Sequence, residues 1–308
     1  MKVITFSLII TCVVLSSLAG YSGTSGMSFL KMDFSPKASA LGSATVGYSE
    51  GPNGMLANPS AMTFSKDLSA ATSYGRLYAD INTGHLAGQR RFHFGSIGAA
   101  VKFVSYGNMD RTDGAGEVIG DFSATDISAS AMFSREIVPN LSLGLATFFA
   151  SSAIDTFTAL AMGFDIGAMF KFDRGRGHLG FVVKNLGGQL SGFTESEDTL
   201  AQGFSLGASY RLKGLPMFAL AQGDYFRDSG FSGGLGFEIV ELNPLFLRAG
   251  YRFREKVSGD LADDEKFNGI SAGFGLVYQG FNIDYSFQHY GILGTVHKFG
   301  VAFDAFAK

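Results

Sequence analysis

Tryptophan is absent from the 308 residues, cysteine occurs once, and only 17% of the chain is charged. A single cysteine, Cys12, leaves no partner for an intramolecular disulfide. Soluble domains carry about 25% charged residues, so the outside of this protein is not composed to face water alone. Its 24 basic and 27 acidic residues are scattered, which excludes the cationic stripe that a nucleic-acid backbone needs. After the first twenty positions no run of about 18 apolar residues exists, so no helix crosses a bilayer, and any crossing must be made by strands.

Signs of catalysis are missing too. The five histidines, His85, His93, His178, His289 and His297, show no metal-ligand spacing. No carboxylate pair stands out from the background. Gly114-Ala115-Gly116 and Gly233-Gly234-Leu235-Gly236 do not lie between a parallel strand and a helix, as a phosphate loop would. The expectation is a non-enzyme without cofactor or metal.

Glycine (42) and phenylalanine (31) are plentiful, and they alternate. In Gly280 to His289, the residues Phe281, Ile283, Tyr285 and Phe287 share one face, while Asn282, Asp284, Ser286 and Gln288 share the other. This period of two is the strand signature. It recurs in 14 segments, starting near Asp67, Ile81, Gly95, Phe122, Asn140, Thr158, Gly177, Gly203, Leu215, Gly230, Pro244, Phe267, Gly280 and Thr295.

Long connections are expected at Gly107 to Asp121, Gly187 to Gln202 and Arg254 to Lys266, all after odd segments. The tight turns Arg91 to Phe94, Lys213-Gly214, Asn243-Pro244 and Gln279-Gly280 follow even ones. Such parity is that of an outer-membrane barrel. The second face is mainly Gly, Ala and Ser, unlike the charged outer face of a soluble sandwich. Closure is also required in lipid, where every backbone group needs an internal partner.

Residues 1–19 read as a secretory signal, with Lys2 before an apolar run and Ser17-Leu18-Ala19 as a cleavage site. Residues 20–66 do not alternate and contain Pro36, Pro52 and Pro59, so they read as a hatch inside the lumen with one or two short helical turns. The barrel is expected over 67–308. By phase, Lys102, Asp126, Asp165, Lys171, Lys184, Arg211, Arg248, Arg252 and Asp284 face the lumen, because Lys or Arg against lipid costs about 2–4 kcal/mol at the midplane.

Three stretches of the hatch, Gly26 to Lys31, Ala40 to Ala44 and Leu56 to Met62, resemble the N-terminus of the PorV/PorQ family. Val182 to Gly187 and Leu247 to Tyr251 are similar to two later stretches of that family. The resemblance implies an all-β, 14-stranded antiparallel transmembrane barrel of FadL type in the cell outer membrane, in contact with its lipid. It further implies a part in type IX secretion, with the C-terminal domains of secreted cargo and a cell-surface sortase as partners. The alternative is a FadL-like channel for hydrophobic small molecules or fatty acids, in which Phe29, Leu30, Gly42, Asn58 and Pro59 form the gate.

Overall fold

The computed structural model describes residues 25–48, 52–193, 198–242, 244–254 and 268–305. The expected signal over 1–19, most of the connection at 254–266 and Asn243 of the expected turn lie outside them.

Fourteen strands close into one barrel, each bonded to its neighbours in sequence and the last to the first. They are β1 (Leu68–Arg76), β2 (Asn82–Phe92), β3 (Gly95–Thr112), β4 (Val118–Val138), β5 (Leu141–Ile154), β6 (Phe157–Phe172) and β7 (Gly177–Ser191). Then come β8 (Gly203–Arg211), β9 (Met217–Phe226), β10 (Gly230–Leu242), β11 (Leu245–Arg254), β12 (Ile270–Tyr278), β13 (Phe281–His289) and β14 (Thr295–Ala305). Every described pairing is antiparallel, including β1 with β14, so the sheet keeps no free edge.

The alternation fixes which face points where. In β8, Leu206 is 58% exposed outward, while Ser205 and Ser209 are buried inward. Around the barrel the exposed outer residues are large and apolar, among them Leu86, Phe164, Leu235, Phe274 and Phe299. Among the described residues no helix is long and apolar enough to cross a membrane.

The expected long connection at Gly107 to Asp121 is not a loop. β3 runs to Thr112 and β4 starts at Val118, leaving a turn in which the Asp113 carboxylate accepts from the backbone N–H groups of Ala115 (2.9 Å) and Glu117 (3.0 Å). The pattern hides this because the register slips between Ser105 and Asn108, with Gly107 at φ 73°. Such a bulge shifts the phase and breaks the two-residue rhythm. Likewise β7 continues to Ser191, into the second expected loop. Strand length divides the barrel: β3 to β7 have 14 to 21 residues, and β8 to β14 have 9 to 13.

The N-terminal segment forms four short helical turns, where one or two were expected. These are a 3-10 turn Ser28–Lys31, α1 (Pro36–Ala40), α2 (Gly54–Ala57) and a 3-10 turn Pro59–Phe64. Ser35 caps α1 by accepting from Ala38 N–H, and Pro36 supplies a preset φ just inside the start. Asn58 caps the last turn in the same way, ahead of Pro59. The segment packs on the small inner face of the barrel, α1 against β11 to β14 and Pro59–Phe64 against β2 to β6. The core lies where the two meet.

Candidate functional site: the barrel interior

A chain inside a barrel must find partners for its own backbone, and here the inward serines supply them. Ser73 donates to Phe34 O (2.7 Å), Ser271 to Ala40 O (3.2 Å), Ser209 to Gly47 O (2.7 Å), Ser142 to Ser60 O (3.0 Å) and Ser96 to Met62 O (3.3 Å). Because Ser73 spends its proton on Phe34, the His85 Nδ1, 2.6 Å away, is the donor of that pair. Its Nε2 lies 3.0 Å from the Asn53 side chain, beside the start of α2.

Glycines let the backbones approach. A Cβ at Gly180 would fall onto the carbonyl of Val46, and one at Gly144 onto the backbone of Ser60. Gly42 needs its lack of side chain twice over, for its φ of 61° and for its contact with the Tyr251 backbone. The Gly, Ala and Ser face read from the sequence is therefore a surface fitted to the chain's own N-terminal segment.

At the end of the barrel with the longer connections, Phe29 and Leu30 are buried in an apolar niche. Its walls are Val104 of β3, Phe148 and Ala150 of β5, Ala159 and Ala161 of β6, and Leu200. Three alanines leave room for one ring and one branched side chain. This end of the segment is held by few polar contacts. Gly26 bridges Leu200, Ser25 donates to Asp228, and Lys31 pairs with Asp228 at 2.6 Å. Burial pushes the Asp228 carboxyl up, but Lys31 and the Ser25 hydroxyl outweigh it and hold the group below its ordinary value.

The opposite wall is charged. Arg248 binds Glu238 through Nε (2.8 Å) and Asp284 through Nη1 (2.5 Å). Tyr48 of the segment donates to the same Glu238, and Lys37 lies 3.4 Å from it. Lys37 also sits 4.6 Å from the centre of the Tyr48 ring. Lys298 reaches Asp33 O and Ser39 Oγ, and Arg252 pairs with Asp224 at 3.3 Å. A buried cluster of this kind is costly to form and more costly to break by removing one member.

The residues singled out from the sequence do not form one site. Phe29 and Leu30 sit at one end, Gly42 near the middle, and Asn58 and Pro59 near the other end. Asn58 is fully buried, donating to Val46 O and Ala168 O (both 3.1 Å) and accepting from Ser60 Oγ (2.6 Å). That is the bonding of a structural joint.

Among the inward charges, Arg248 and Asp284 meet, and Arg252 stands apart with Asp224. Lys102 lies over the Phe34 ring at 5.7 Å and Lys171 over Phe64 at 3.9 Å. Asp165 accepts from the Asn185 N–H (2.7 Å), filling a gap in the β6–β7 ladder. Asp126 accepts from Tyr106 (2.7 Å) and Ser152 (2.5 Å), and Arg211 pairs with Glu241 at 2.7 Å at the short-turn end.

Glu238, Asp224 and Lys298 were not singled out, although the same alternation puts them inward. Tyr48 and Lys37 carry no such signal, since their segment has no period. Among the described residues no group of three or more His, Cys, Asp or Glu could hold a metal ion.

No protein-family model and no curated protein sequence matches the chain. Solved structures do. A Pseudomonas aeruginosa FadL homologue superposes with a TM-score of 0.62 at 12% identity, covering 94% of this chain and 100% of that one. The Pseudomonas putida toluene transporter TodX gives 0.59 at 12% identity, over 86% of this chain and 95% of that one. A mutant of the TodX monoaromatic hydrocarbon channel gives 0.60 at 13%, over 88% and 97%. At these identities the likeness is one of fold: this chain has the barrel of FadL-like outer-membrane channels. None of these matches singles out the PorV/PorQ family.

Proposed function

We propose that the protein is a non-enzymatic outer-membrane channel for small hydrophobic molecules, with residues 20–66 as its hatch. The end with longer connections then faces outside, and the tight turns face the periplasm. The observation that carries this reading is the apolar niche around Phe29 and Leu30, set at the outer end of a lumen whose other wall is charged. A barrel that served only as an anchor would have no use for a dry pocket there. The FadL homologue and the toluene transporter, matched over nearly their whole lengths, support the same reading.

The outer surface supports the location. Nine to eleven tilted residues span a bilayer, which β8 to β14 just supply, and β3 and β4 rise well above it. In the secretion reading, cargo domains and a sortase would dock on the outer loops. The stretches that carry the PorV/PorQ resemblance are in part packing against lumen serines and glycines, as Ala40, Gly42, Ser60 and Met62 illustrate. They speak for a shared barrel more than for shared partners.

The test is uptake of toluene into liposomes bearing the purified protein. The channel reading expects uptake well above protein-free liposomes and no comparable gain for charged benzylamine. Equal toluene uptake with and without protein would refute it.

A further inference from the structure

Three exposed arginines of the barrel carry a carboxylate of their own: Arg76 has Asp80, Arg111 has Asp155 and Arg211 has Glu241. Arg90 of β2 and Arg135 of β4 are exposed as well, and neither has an ion-pair partner among the described residues. Both point out of the barrel. Arg90 shares its face of β2 with Leu86, and Arg135 shares its face of β4 with Phe133. Arg91, in the opposite phase, donates to Thr63 O of the segment inside. Arg90 and Arg135 lie within three residues of their strand ends, Phe92 and Val138, where the cost of turning an arginine toward lipid has fallen off.

Their surroundings are aromatic. The rings of Phe92 and Phe94 stack with centres 5.3 Å apart, and those of Phe94 and Phe133 with centres 6.5 Å apart. The three are 38%, 41% and 42% exposed. Phe133 lies across Gly95, where a Cβ would come 2.8 Å from the ring. The Arg90 guanidinium sits 5.3 Å from the centre of the Phe92 ring, which places it toward the cross-strand row of Phe92 and Gly95. One step beyond the Ser96–Ser134 pair, that row continues to Arg135. The two cations thus border one shallow patch, two strand spacings or about 10 Å across.

A ring that holds a guanidinium by its face leaves the in-plane N–H groups free. A water-soluble partner has poor access to a patch that shares its face with the exposed Ile97 and Phe133, whereas the phosphate of a lipid lies at this level. We propose that the patch is a docking site for an anionic glycerophospholipid of the leaflet on the short-turn side, its phosphodiester on Arg90 and Arg135 and its acyl chains over Phe133 and Ile97. Arginine suits a phosphate because its donors form a planar fork. A zwitterionic headgroup would bring an ammonium toward the same cations. The site is on the outside of the barrel, apart from the niche around Phe29, and it rests on the channel reading only for calling that leaflet the periplasmic one.

The test is native mass spectrometry of the full, detergent-solubilised protein titrated with phosphatidylglycerol or phosphatidylcholine, with uptake of toluene into liposomes measured in parallel. Phosphatidylglycerol should bind at about tenfold lower concentration than phosphatidylcholine. Arg90→Gln/Arg135→Gln should remove that preference, Arg76→Gln should keep it, and equimolar lipid A should not displace the bound phosphatidylglycerol. Heat-modifiable migration checks that each variant is folded. Equal affinity for the two lipids, a preference that survives in the folded double variant or is lost in Arg76→Gln, or displacement by lipid A would each overturn the proposal. The lipid preference without toluene uptake would keep this site and remove the channel; toluene uptake without the preference would do the reverse.

Discussion

The two ends of the N-terminal segment are held in different ways. From Pro36 to Phe64 it is joined to the wall by hydrogen bonds that the hydroxyls of Ser271, Ser209, Ser142 and Ser96 donate to its backbone carbonyls, by the buried Asn58, and by the Glu238 and Arg248 cluster. From Ser25 to Phe34 it is held by Phe29 and Leu30 in their niche, one bridge to Leu200, Asp33 O on Lys298, Phe34 O on Ser73 and a partly exposed contact with Asp228. Backbone bonds and close contacts inside a barrel have no substitute once broken, whereas a side chain leaving an apolar niche is replaceable by another apolar group. On the proposed channel reading, Gly26 to Lys31 is the part that would exchange with a hydrophobic ligand, while the segment from Asp33 onward is bonded to the wall.

The largest effect should come from pushing the joined part off the wall. Gly180→Val forces a side chain into the Val46 carbonyl, and the account expects no heat-modifiable barrel on a gel. Gly26→Ala, whose new atom would meet the flexible end of Gln189 and come 3.0 Å from Asp198 Cβ, with no backbone among its nearest neighbours, should assemble normally. Equal behaviour of the two variants would erase the distinction between the ends.

Next in size is Arg248→Ala, which strands two buried carboxylates and should cost about 3–5 kcal/mol in denaturant unfolding. Ser209→Ala removes the bond to Gly47 O and a longer contact with His178 Nδ1, and should cost about 1 kcal/mol by the same measurement.

The smallest effect concerns the outer contact. The Asp228 carboxyl is held below its ordinary value of 3.8, so its ion pair with Lys31 stabilises fully above that pH and is lost as pH falls through the lowered value. Protease cleavage near Lys31 should therefore rise only in strong acid, and the rise should vanish in Asp228→Asn. Cleavage that is insensitive to pH in the wild type would show that the contact does not hold this end.

The sequence made the barrel legible and left its interior mostly unread, for a physical reason. Alternation is local, so fourteen segments and the inward phase of Arg248 and Asp284 can be read from neighbouring residues. It fails at Tyr106 and Gly107, where a bulge shifts the phase and turns the top of a hairpin into an apparent loop. The segment inside has no period, and its partners are set by a register between residues far apart in the chain. Ser209 with Gly47 O and Tyr48 with Glu238 are such pairs. Asn58 and Pro59 were legible as special but not as structural, because a cap and a gate draw on the same residue types.

The most direct test of the outer end as the moving part is a reversible tether. No cysteine lies among the described residues, so Gly26→Cys/Leu200→Cys, at the bridge between segment and loop, introduces a single pair. With the cross-link verified by mass spectrometry, toluene uptake into liposomes should fall to the protein-free level when oxidised and recover on reduction. Uptake that is the same in the oxidised and reduced protein would contradict the account.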